Sequence, residues 1–188
     1  YSFEFFPTKT DAGHDKLMGV ARELAGYNPD FFSCTYGAGG STRDRTLNTV
    51  LQLDGEVKVP AAPHLSCVGD SAEDLRSLLQ QYRSAGIKRI VALRGDLPSG
   101  MGLASGELRY ANELVEFIRN ETGEHFHIEV AAYPEMHPQA RSFEDDLANF
   151  VRKVNAGADS AITQYFFNAD SYFYFMERVR KQGIDIPV

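Results

Sequence analysis

The chain has 188 residues, of which 43% are hydrophobic and 24% charged, and its formal net charge is −7 at pH 7. This length suits one domain with a sizeable core. Nucleic-acid affinity rests mainly on clustered Lys and Arg, and the basic residues here are scattered, so we expect no nucleic-acid partner. No apolar run approaches the roughly 18 residues of a membrane span, so we expect no membrane partner. Cys34 and Cys67 form no Cys-x-x-Cys pair, which favours two buried thiols in a reducing cytoplasm.

Short apolar runs predict six strands, each followed by a polar loop and a helix. The predicted strands are Ser2–Phe5, Phe31–Thr35, Ala61–Leu65, Arg89–Leu93, Ile128–Ala132 and Ala161–Gln164. A seventh strand is expected to begin at Ile186, where the sequence stops. Several of these runs lack polar alternation, which is typical of parallel strands buried on both faces.

Apolar residues spaced i, i+3, i+4, i+7 predict amphipathic helices between the strands. The first stripe contains Leu17, Val20, Ala21 and Leu24. Ser71 and Ser142, each followed three residues later by aspartate, predict helix starts. Glycines that follow helices are expected to take positive φ; they are Gly26, Gly86, Gly157 and Gly183.

Polar residues at the strand ends favour a barrel over a doubly wound sheet. These residues are Glu4, Thr35, His64, Arg94 with Asp96, Tyr133 with Glu135, and Gln164. In an eightfold barrel such ends converge on one face, where catalytic groups lie, and no G-x-G-x-x-G motif follows the first strand. We therefore expect an α/β fold, a (β/α)8 barrel of the TIM type, truncated to about six βα units plus the start of a seventh strand. Residues 1–188 would form one catalytic barrel domain, incomplete at the C-terminus and with its native start upstream.

Glu4 is the leading candidate for acid catalysis. It lies between Phe3 and Phe5 on a predicted inner strand, where desolvation would raise its pKa and make it a usable general acid. The alternative is an exposed glutamate at a strand edge.

Three further segments carry weaker signals. The glycine-rich stretch from Thr35 to Asp44 could approach a ligand through its backbone, but it fits a flexible loop as well. Arg94 and Asp96 close the fourth strand and either serve a ligand or form a surface ion pair. No spacing supports a metal site drawn from His64, Glu135 and His137, so none is expected.

One predicted helix carries a polar stripe of Asp146, Asn149 and Lys153, with Arg152 beside it. Such a stripe is usually a solvated face, although its first turn points toward the strand-end side of a barrel. Gln164 adds a neutral amide at an inner strand end, which suits hydrogen bonding to a heterocycle.

Seven strings in order resemble the bacterial type of methylenetetrahydrofolate reductase. They are Ser-Phe-Glu-Phe-Phe-Pro, Thr-Tyr-Gly-Ala, Arg-Asp-Arg-Thr, Ala-Ala-Pro-His-Leu, Val-Ala-Leu-Arg-Gly-Asp-Leu-Pro, Ala-Ala-Tyr-Pro-Glu-x-His-Pro and Ala-Ile-Thr-Gln-Tyr-Phe-Phe. The resemblance implies a (β/α)8 barrel with non-covalent FAD. It also implies ping-pong hydride transfer from NAD(P)H, with NADH favoured, to 5,10-methylenetetrahydrofolate, giving 5-methyltetrahydrofolate. A homo-oligomer is expected.

The same resemblance implies roles for particular residues. Glu4 matches the general acid that opens the imidazolidine ring, and Asp96 matches a catalytic carboxylate near flavin and folate. Glu4, Thr35 and Gln164 match substrate positions. The FAD contacts would be Tyr36, Ala38, His64, Arg94, Gly95, Asp96, Ala111, Tyr133, His137, Ala140, Asp146, Asn149, Arg152 and Lys153.

Two other readings stay open. The chain could be another flavin- or folate-binding barrel, or a non-catalytic barrel homologue used for binding or scaffolding. The joint presence of Glu4, Asp96 and Gln164 argues against a scaffold, which has no need of polar groups at strand ends.

Overall fold

A computed structural model describes residues 1–36, 43–95 and 107–188. Its core is a parallel sheet of six strands in sequential order, β1-β2-β3-β4-β5-β6. The strands are β1 (Ser2–Phe5), β2 (Phe31–Cys34), β3 (Ala61–Ser66), β4 (Arg89–Leu93), β5 (His127–Ala132) and β6 (Ser160–Thr163). A doubly wound sheet reverses its strand order at a switch point, whereas this order is that of a barrel wall. The sheet is therefore a curled part of an α/β barrel, as predicted.

Helices alternate with the strands along the described chain. They are α1 (Asp11–Ala25), α2 (Arg43–Gln52), α3 (Ala72–Ser84), α4 (Ala111–Thr122), α5 (Phe143–Asn155) and α6 (Ala169–Lys181), and a π-helical turn, Leu53–Val57, follows α2. Ser71 and Ser142 are the N-caps of α3 and α5; each side chain accepts a hydrogen bond from a backbone N–H three residues on, at 3.1 Å. Both predicted helix starts are confirmed, because a serine hydroxyl can satisfy a first-turn donor.

The two faces of the sheet pack against different partners. The outer face joins the helices in one large core that includes Phe5, Phe32, Leu65 and Ile90. The inner face carries a smaller apolar cluster of Phe31, Ala62 and Val91, with Leu93 and Ile162 packed against it. Successive strand residues point to opposite faces, so parity along each strand decides which side chains enter the barrel.

A polar network occupies the inner face at the amino ends of the strands. Arg89 of β4 pairs with Glu129 of β5, which is only 3% exposed, and Ser160 of β6 donates a hydrogen bond to the same carboxylate. His127 Nε2 lies 2.6 Å from Ser160 Oγ, and the Arg89 guanidinium lies 4.6 Å from the centre of the Phe31 ring. These contacts satisfy a buried charge that would otherwise be costly.

Both cysteines are buried thiols, as the sequence indicates. Burial raises the pKa of Cys34 to about 12 and the pKa of Cys67 to about 11. Both groups therefore stay protonated near neutral pH and behave as small apolar side chains.

Strand boundaries differ from the sequence prediction by one residue at several ends, and the predicted seventh strand is not formed in the described residues. The backbone N–H of Ala161 nevertheless donates to the carbonyl of Pro187 at 2.9 Å. This hydrogen bond places the segment beside β6, the position of the next barrel strand.

Two local predictions were wrong. Gly26 takes a right-handed φ of −62°, and the positive φ after α1 belongs to Asn28, at 54°. Helix α1 buries Leu17, Met18 and Ala21, whereas Val20 is 40% exposed. Compared with the predicted apolar stripe, the buried face of α1 is rotated about the helix axis so that it includes Met18 in place of Val20. The spacing of apolar residues does not fix this rotation, because it also depends on the sheet surface against which the helix packs.

The rotation of α1 can be tested with two truncations. We expect Met18→Ala to lower the free energy of unfolding by about 2 to 5 kcal/mol, because a side chain that is 4% exposed leaves a cavity. Val20→Ala should change it by about 0.5 kcal/mol or less. Urea denaturation of both variants measures the difference, and a larger loss from Val20→Ala would contradict the observed packing.

Candidate active site

Glu4 and His64 meet on the inner face, from strands β1 and β3. Glu4 Oε2 lies 3.3 Å from His64 Nε2, and the two side chains are 49% and 10% exposed, respectively. Desolvation raises the pKa of Glu4 and lowers the pKa of His64 to about 4. The imidazole is therefore neutral near pH 7, and the contact joins a carboxyl group to a neutral ring rather than two opposite charges.

His64 Nε2 is buried and lacks a hydrogen-bond partner among the described residues. Among the described residues, none makes a well-aligned hydrogen bond with it, despite the approach of Glu4. Buried polar atoms in folded proteins are nearly always hydrogen-bonded. This nitrogen is therefore available to a ligand or to a repositioned Glu4 carboxyl group.

The sequence predicted the direction of the Glu4 pKa correctly, but the neighbours it invoked are the wrong ones. Phe3 and Phe5 point to the helix side, where both rings pack against Phe32, with centroids 6.2 and 5.1 Å away. Glu4 occupies the opposite face, because side chains alternate along β1. The partial burial that raises its pKa therefore arises on the inner face.

The ends of β3 and β4 are joined through one carbonyl oxygen. Arg94 O accepts hydrogen bonds from Ser66 Oγ at 2.8 Å and from the backbone N–H of Val68 at 3.1 Å. Gly95 has φ +86°, and a Cβ atom built on it would lie 1.9 Å from Ser66 Oγ. The backbone at Gly95 thus forms a close cradle that only glycine allows.

A chain of contacts runs from β4 to the loop after β5. Arg94 Nη2 donates to Gln139 Oε1 at 2.7 Å, and the Gln139 N–H donates to His137 Nδ1 at 3.0 Å. The His137 ring packs edge-on against Tyr133, with centroids 4.6 Å apart. Ala140 joins the same turn, since its N–H donates to His137 O at 2.9 Å. Four of the predicted cofactor positions, Arg94, Tyr133, His137 and Ala140, are therefore linked to one another by contacts in the structure.

Lys153 brings helix α5 into the same region. Its ammonium group donates to the carbonyl oxygen of Ala131 in β5 and lies 6.0 Å from the centre of the Tyr133 ring. Burial lowers the pKa of Lys153 to about 8, against the opposing effect of Asp146. Asp146 also accepts the backbone N–H of His137 at 2.8 Å. This face of α5 is thus partly buried, and it holds a lysine that loses its proton more readily than an exposed lysine does.

The remaining predicted positions make looser contacts. Asn149 accepts a hydrogen bond from Arg152 on the exposed side of α5. Thr35 extends β2 through its N–H, which donates to Phe5 O at 2.9 Å, and Gln164 extends β6 through a bond to Ala132 O at 2.7 Å. The Gln164 side-chain oxygen accepts the N–H of Tyr165, and Ala111 is the first residue of α4.

Two predicted positions, Asp96 and Ala38, lie outside the described residues. Within the described ranges, no three His, Cys, Asp or Glu side chains converge closely enough to hold a metal ion.

Sequence reasoning missed three residues that organise this region. Asp70 accepts a hydrogen bond from the Tyr36 hydroxyl at 2.7 Å, Ser66 supports Arg94, and Gln139 links Arg94 to His137. Each acts across two loops that are far apart in sequence. The available signal was a polar residue in a loop directly after a strand, which is too common to single out a residue.

The sequential parallel strands, with polar side chains at their carboxyl ends, define an α/β-barrel protein with its candidate site on the usual face. The chain belongs to the methylenetetrahydrofolate reductase family, whose sequence model matches residues 1–188.

Curated relatives carry the same family name. The chain is 43% identical over 187 residues to the 5,10-methylenetetrahydrofolate reductase of Escherichia coli (strain K12), covering 100% of this chain and 62% of that protein. It is 38% identical over 200 residues to "Methylenetetrahydrofolate reductase (NADH) 1" of Arabidopsis thaliana, covering 100% of this chain and 34% of the relative. The chain therefore spans about three fifths of its bacterial relatives and a third of the plant ones.

Solved structures support the fold. A Clostridium thermocellum protein, described as binding two copies of 5-methyl-5,6,7,8-tetrahydrofolic acid, has a TM-score of 0.65 and 16% identity, covering 98% of this chain and 61% of that one. A phosphonopyruvate hydrolase has a TM-score of 0.65 and 13% identity, covering 99% and 64%. In the part of the chain that the structure describes, no helix has the length and apolar character needed to cross a membrane.

The Gly95 cradle predicts a specific coupling. Gly95→Ala should lower the free energy of unfolding by about 3 kcal/mol, because positive φ strain adds to the collision with Ser66. Ser66→Ala removes the colliding oxygen, so the double variant should be less destabilised than the sum of the single variants. Urea denaturation of the three variants checks this.

The matched control is Gly183→Ala, where φ is +77° and no atom lies within 4 Å of the built Cβ. It should show the backbone strain alone, about 1 kcal/mol. Simple additivity of Gly95→Ala and Ser66→Ala would rule out the steric contact.

The buried Lys153 predicts a pH dependence of stability. Its pKa is about 8 in the folded protein and 10.5 in the unfolded chain, so between these values the unfolded state binds more protons. The free energy of unfolding of the wild type should therefore rise, relative to Lys153→Met, across this interval. Denaturation at about pH 7 and about pH 10 measures the change. Lys181→Met, at an exposed lysine, should keep the wild-type rise, and an identical profile for Lys153→Met would refute the assignment.

Proposed function

We propose that this protein reduces 5,10-methylenetetrahydrofolate to 5-methyltetrahydrofolate, using NAD(P)H and non-covalently bound FAD. The observation that carries the proposal is the family match over residues 1–188, with 43% identity to a named bacterial reductase. The arrangement at the strand ends supports it, because the half-buried Glu4 carboxyl group, whose pKa is raised, lies 3.3 Å from His64 on the inner face.

Glu4 is the proposed proton donor to the folate. Its pKa is raised by desolvation, so a larger fraction of the carboxyl group stays protonated near neutral pH than in water. Proton delivery to the departing imidazolidine nitrogen would open that ring and leave a cationic iminium carbon, which is the better hydride acceptor. Neutral His64, 3.3 Å away, adds no positive charge that would drive the Glu4 proton off.

The residues present fit FAD on one structural ground. His64 Nε2 is a buried nitrogen without a well-aligned partner in the described residues. The positions that would hold the cofactor include Tyr36, His64, Arg94 and Lys153. Of these, Arg94 and Lys153 carry positive charge that can offset the charge of the pyrophosphate. When bound, FAD would supply the hydride carrier between nicotinamide and folate.

The finer features rest on the resemblance and on relatives. Nicotinamide and folate would use one site in turn, which gives ping-pong kinetics. NADH is favoured because an Arabidopsis relative of 38% identity carries NADH in its name. A homo-oligomer in the cytoplasm, and the catalytic role of Asp96, stay predictions.

A spectrum of the purified protein tests the proposal directly. We expect flavin absorbance that is bleached by NADH and restored by methylenetetrahydrofolate. Restoration by other acceptors alone would favour a different flavin barrel, and absence of any bound flavin after addition of FAD would favour a folate carrier or a non-catalytic homologue.

Glu4→Gln separates the two halves of the reaction. Reoxidation by methylenetetrahydrofolate should slow by about 100-fold or more, because a general acid typically contributes at least that factor. Reduction by NADH should change far less, because hydride transfer from the nicotinamide needs no proton from Glu4. Stopped-flow measurement of each half-reaction gives both rates.

Glu124→Gln, at an exposed glutamate beyond α4, is the control and should leave both half-reactions at wild-type rates. Equal slowing of the two half-reactions by Glu4→Gln would remove Glu4 from the role of folate acid.

A further inference from the structure

Asp70 is a buried carboxylate that the proposed reaction does not use. It lies in the loop between β3 and α3, is 9% exposed, and accepts a hydrogen bond from the Tyr36 hydroxyl at 2.7 Å. Tyr36 follows β2 on the strand-end side of the sheet. Burying a carboxylate costs free energy unless hydrogen bonds replace those it made to water. The hydrogen bond from Tyr36 therefore helps to hold the Asp70 carboxylate in its buried position.

The backbone that carries Asp70 is held on both sides. Upstream, Ser66 Oγ and the Val68 N–H both donate to Arg94 O. Downstream, Ser71 caps helix α3 by accepting the Asp74 N–H. Asp70 is therefore a fixed acceptor, while Tyr36 sits at the end of a strand and reaches toward it.

The bond also fixes what Tyr36 offers to a ligand. Because the phenol proton is directed to Asp70, the oxygen can only accept further hydrogen bonds, and the ring is held in one orientation. A hydrogen bond to a charged acceptor is stronger than one between neutral groups, so it restrains the ring more effectively.

We propose that Asp70 is a positioning residue, which orients Tyr36 in the flavin site through the Tyr36 hydroxyl. The inference rests on the proposed function, because Tyr36 is a predicted FAD contact. Asp70 itself need not touch the cofactor. It acts through the tyrosine, and the loop that carries it also contacts the end of β4, because the Val68 N–H donates to the Arg94 carbonyl oxygen.

The test is a double-mutant cycle on FAD affinity, with Asp70→Leu, Tyr36→Phe and the double variant. Asp70→Leu removes the acceptor at similar size, and Tyr36→Phe removes one oxygen atom only. We expect each single variant to raise the FAD dissociation constant about tenfold, and the double variant to be no weaker than either, because both remove the same bond. Fluorescence titration of the apoprotein with FAD gives the constants.

Conservative rescue separates positioning from a purely structural role. Asp70→Asn keeps a carbonyl acceptor and should bind FAD within about threefold of the wild type. The circular dichroism bands of the bound flavin should shift in Asp70→Leu and Tyr36→Phe but not in Asp70→Asn. Loss of fold stability with unchanged FAD affinity and unchanged flavin bands would overturn the proposal. Tyr36→Phe keeps the test valid if Asp70→Leu does not fold.

Two control variants test whether any aspartate or tyrosine substitution changes FAD affinity. Asp185→Asn and Tyr27→Phe change an exposed aspartate and an exposed tyrosine, and both should bind FAD as the wild type does. Wild-type affinity in both Asp70→Leu and Tyr36→Phe, or a double variant about 100-fold weaker through additive losses, would overturn the role of the bond. A wild type that binds no FAD would instead defeat the proposed function, and this inference with it.

Discussion

Parallel register with strict alternation of side chains is the constraint on which the rest of the structure depends. In each strand, alternate side chains point to the helix-covered core and to the barrel interior. Phe5 and Glu4 therefore lie on opposite faces of the sheet although they are adjacent in sequence. The same rule brings His64, two strands away, within reach of Glu4. Which side chains reach the site is thus decided by their odd or even position along each strand, before their chemical type matters.

Desolvation acts on this site in opposite senses. It favours the protonated form of the Glu4 carboxyl group and the neutral forms of His64 and Lys153. The shifts of Glu4 and His64 disfavour charge near the strand ends, whereas Lys153, with a pKa of about 8, stays mostly cationic near neutral pH. Such a site suits a flat heterocycle that carries an anionic group beside Lys153.

Much of the fold was readable in the sequence, because short apolar runs, capping serines and polar strand ends are local signals. The raised pKa of Glu4 was also predicted from local sequence, although the neighbours invoked for it, Phe3 and Phe5, pack on the other face; the catalytic role of Glu4 stays a prediction. Burial of Met18 instead of Val20 was not readable, since the rotation of a helix is set by the surface it meets. Nor was the pairing of Asp70 with Tyr36, because the two residues meet only after separate loops have folded.

The ionic network of Arg89, Glu129 and Ser160 bears on how the sheet assembles. A slip of β5 by one residue would move Glu129 into the apolar layer beneath the helices and leave Arg89 opposite a hydrocarbon side chain. A wrong register would thus leave both the Arg89 and the Glu129 charge without a partner. The free-energy difference between the native register and the slipped one is larger for that reason. The network therefore disfavours a one-residue slip between β4 and β5.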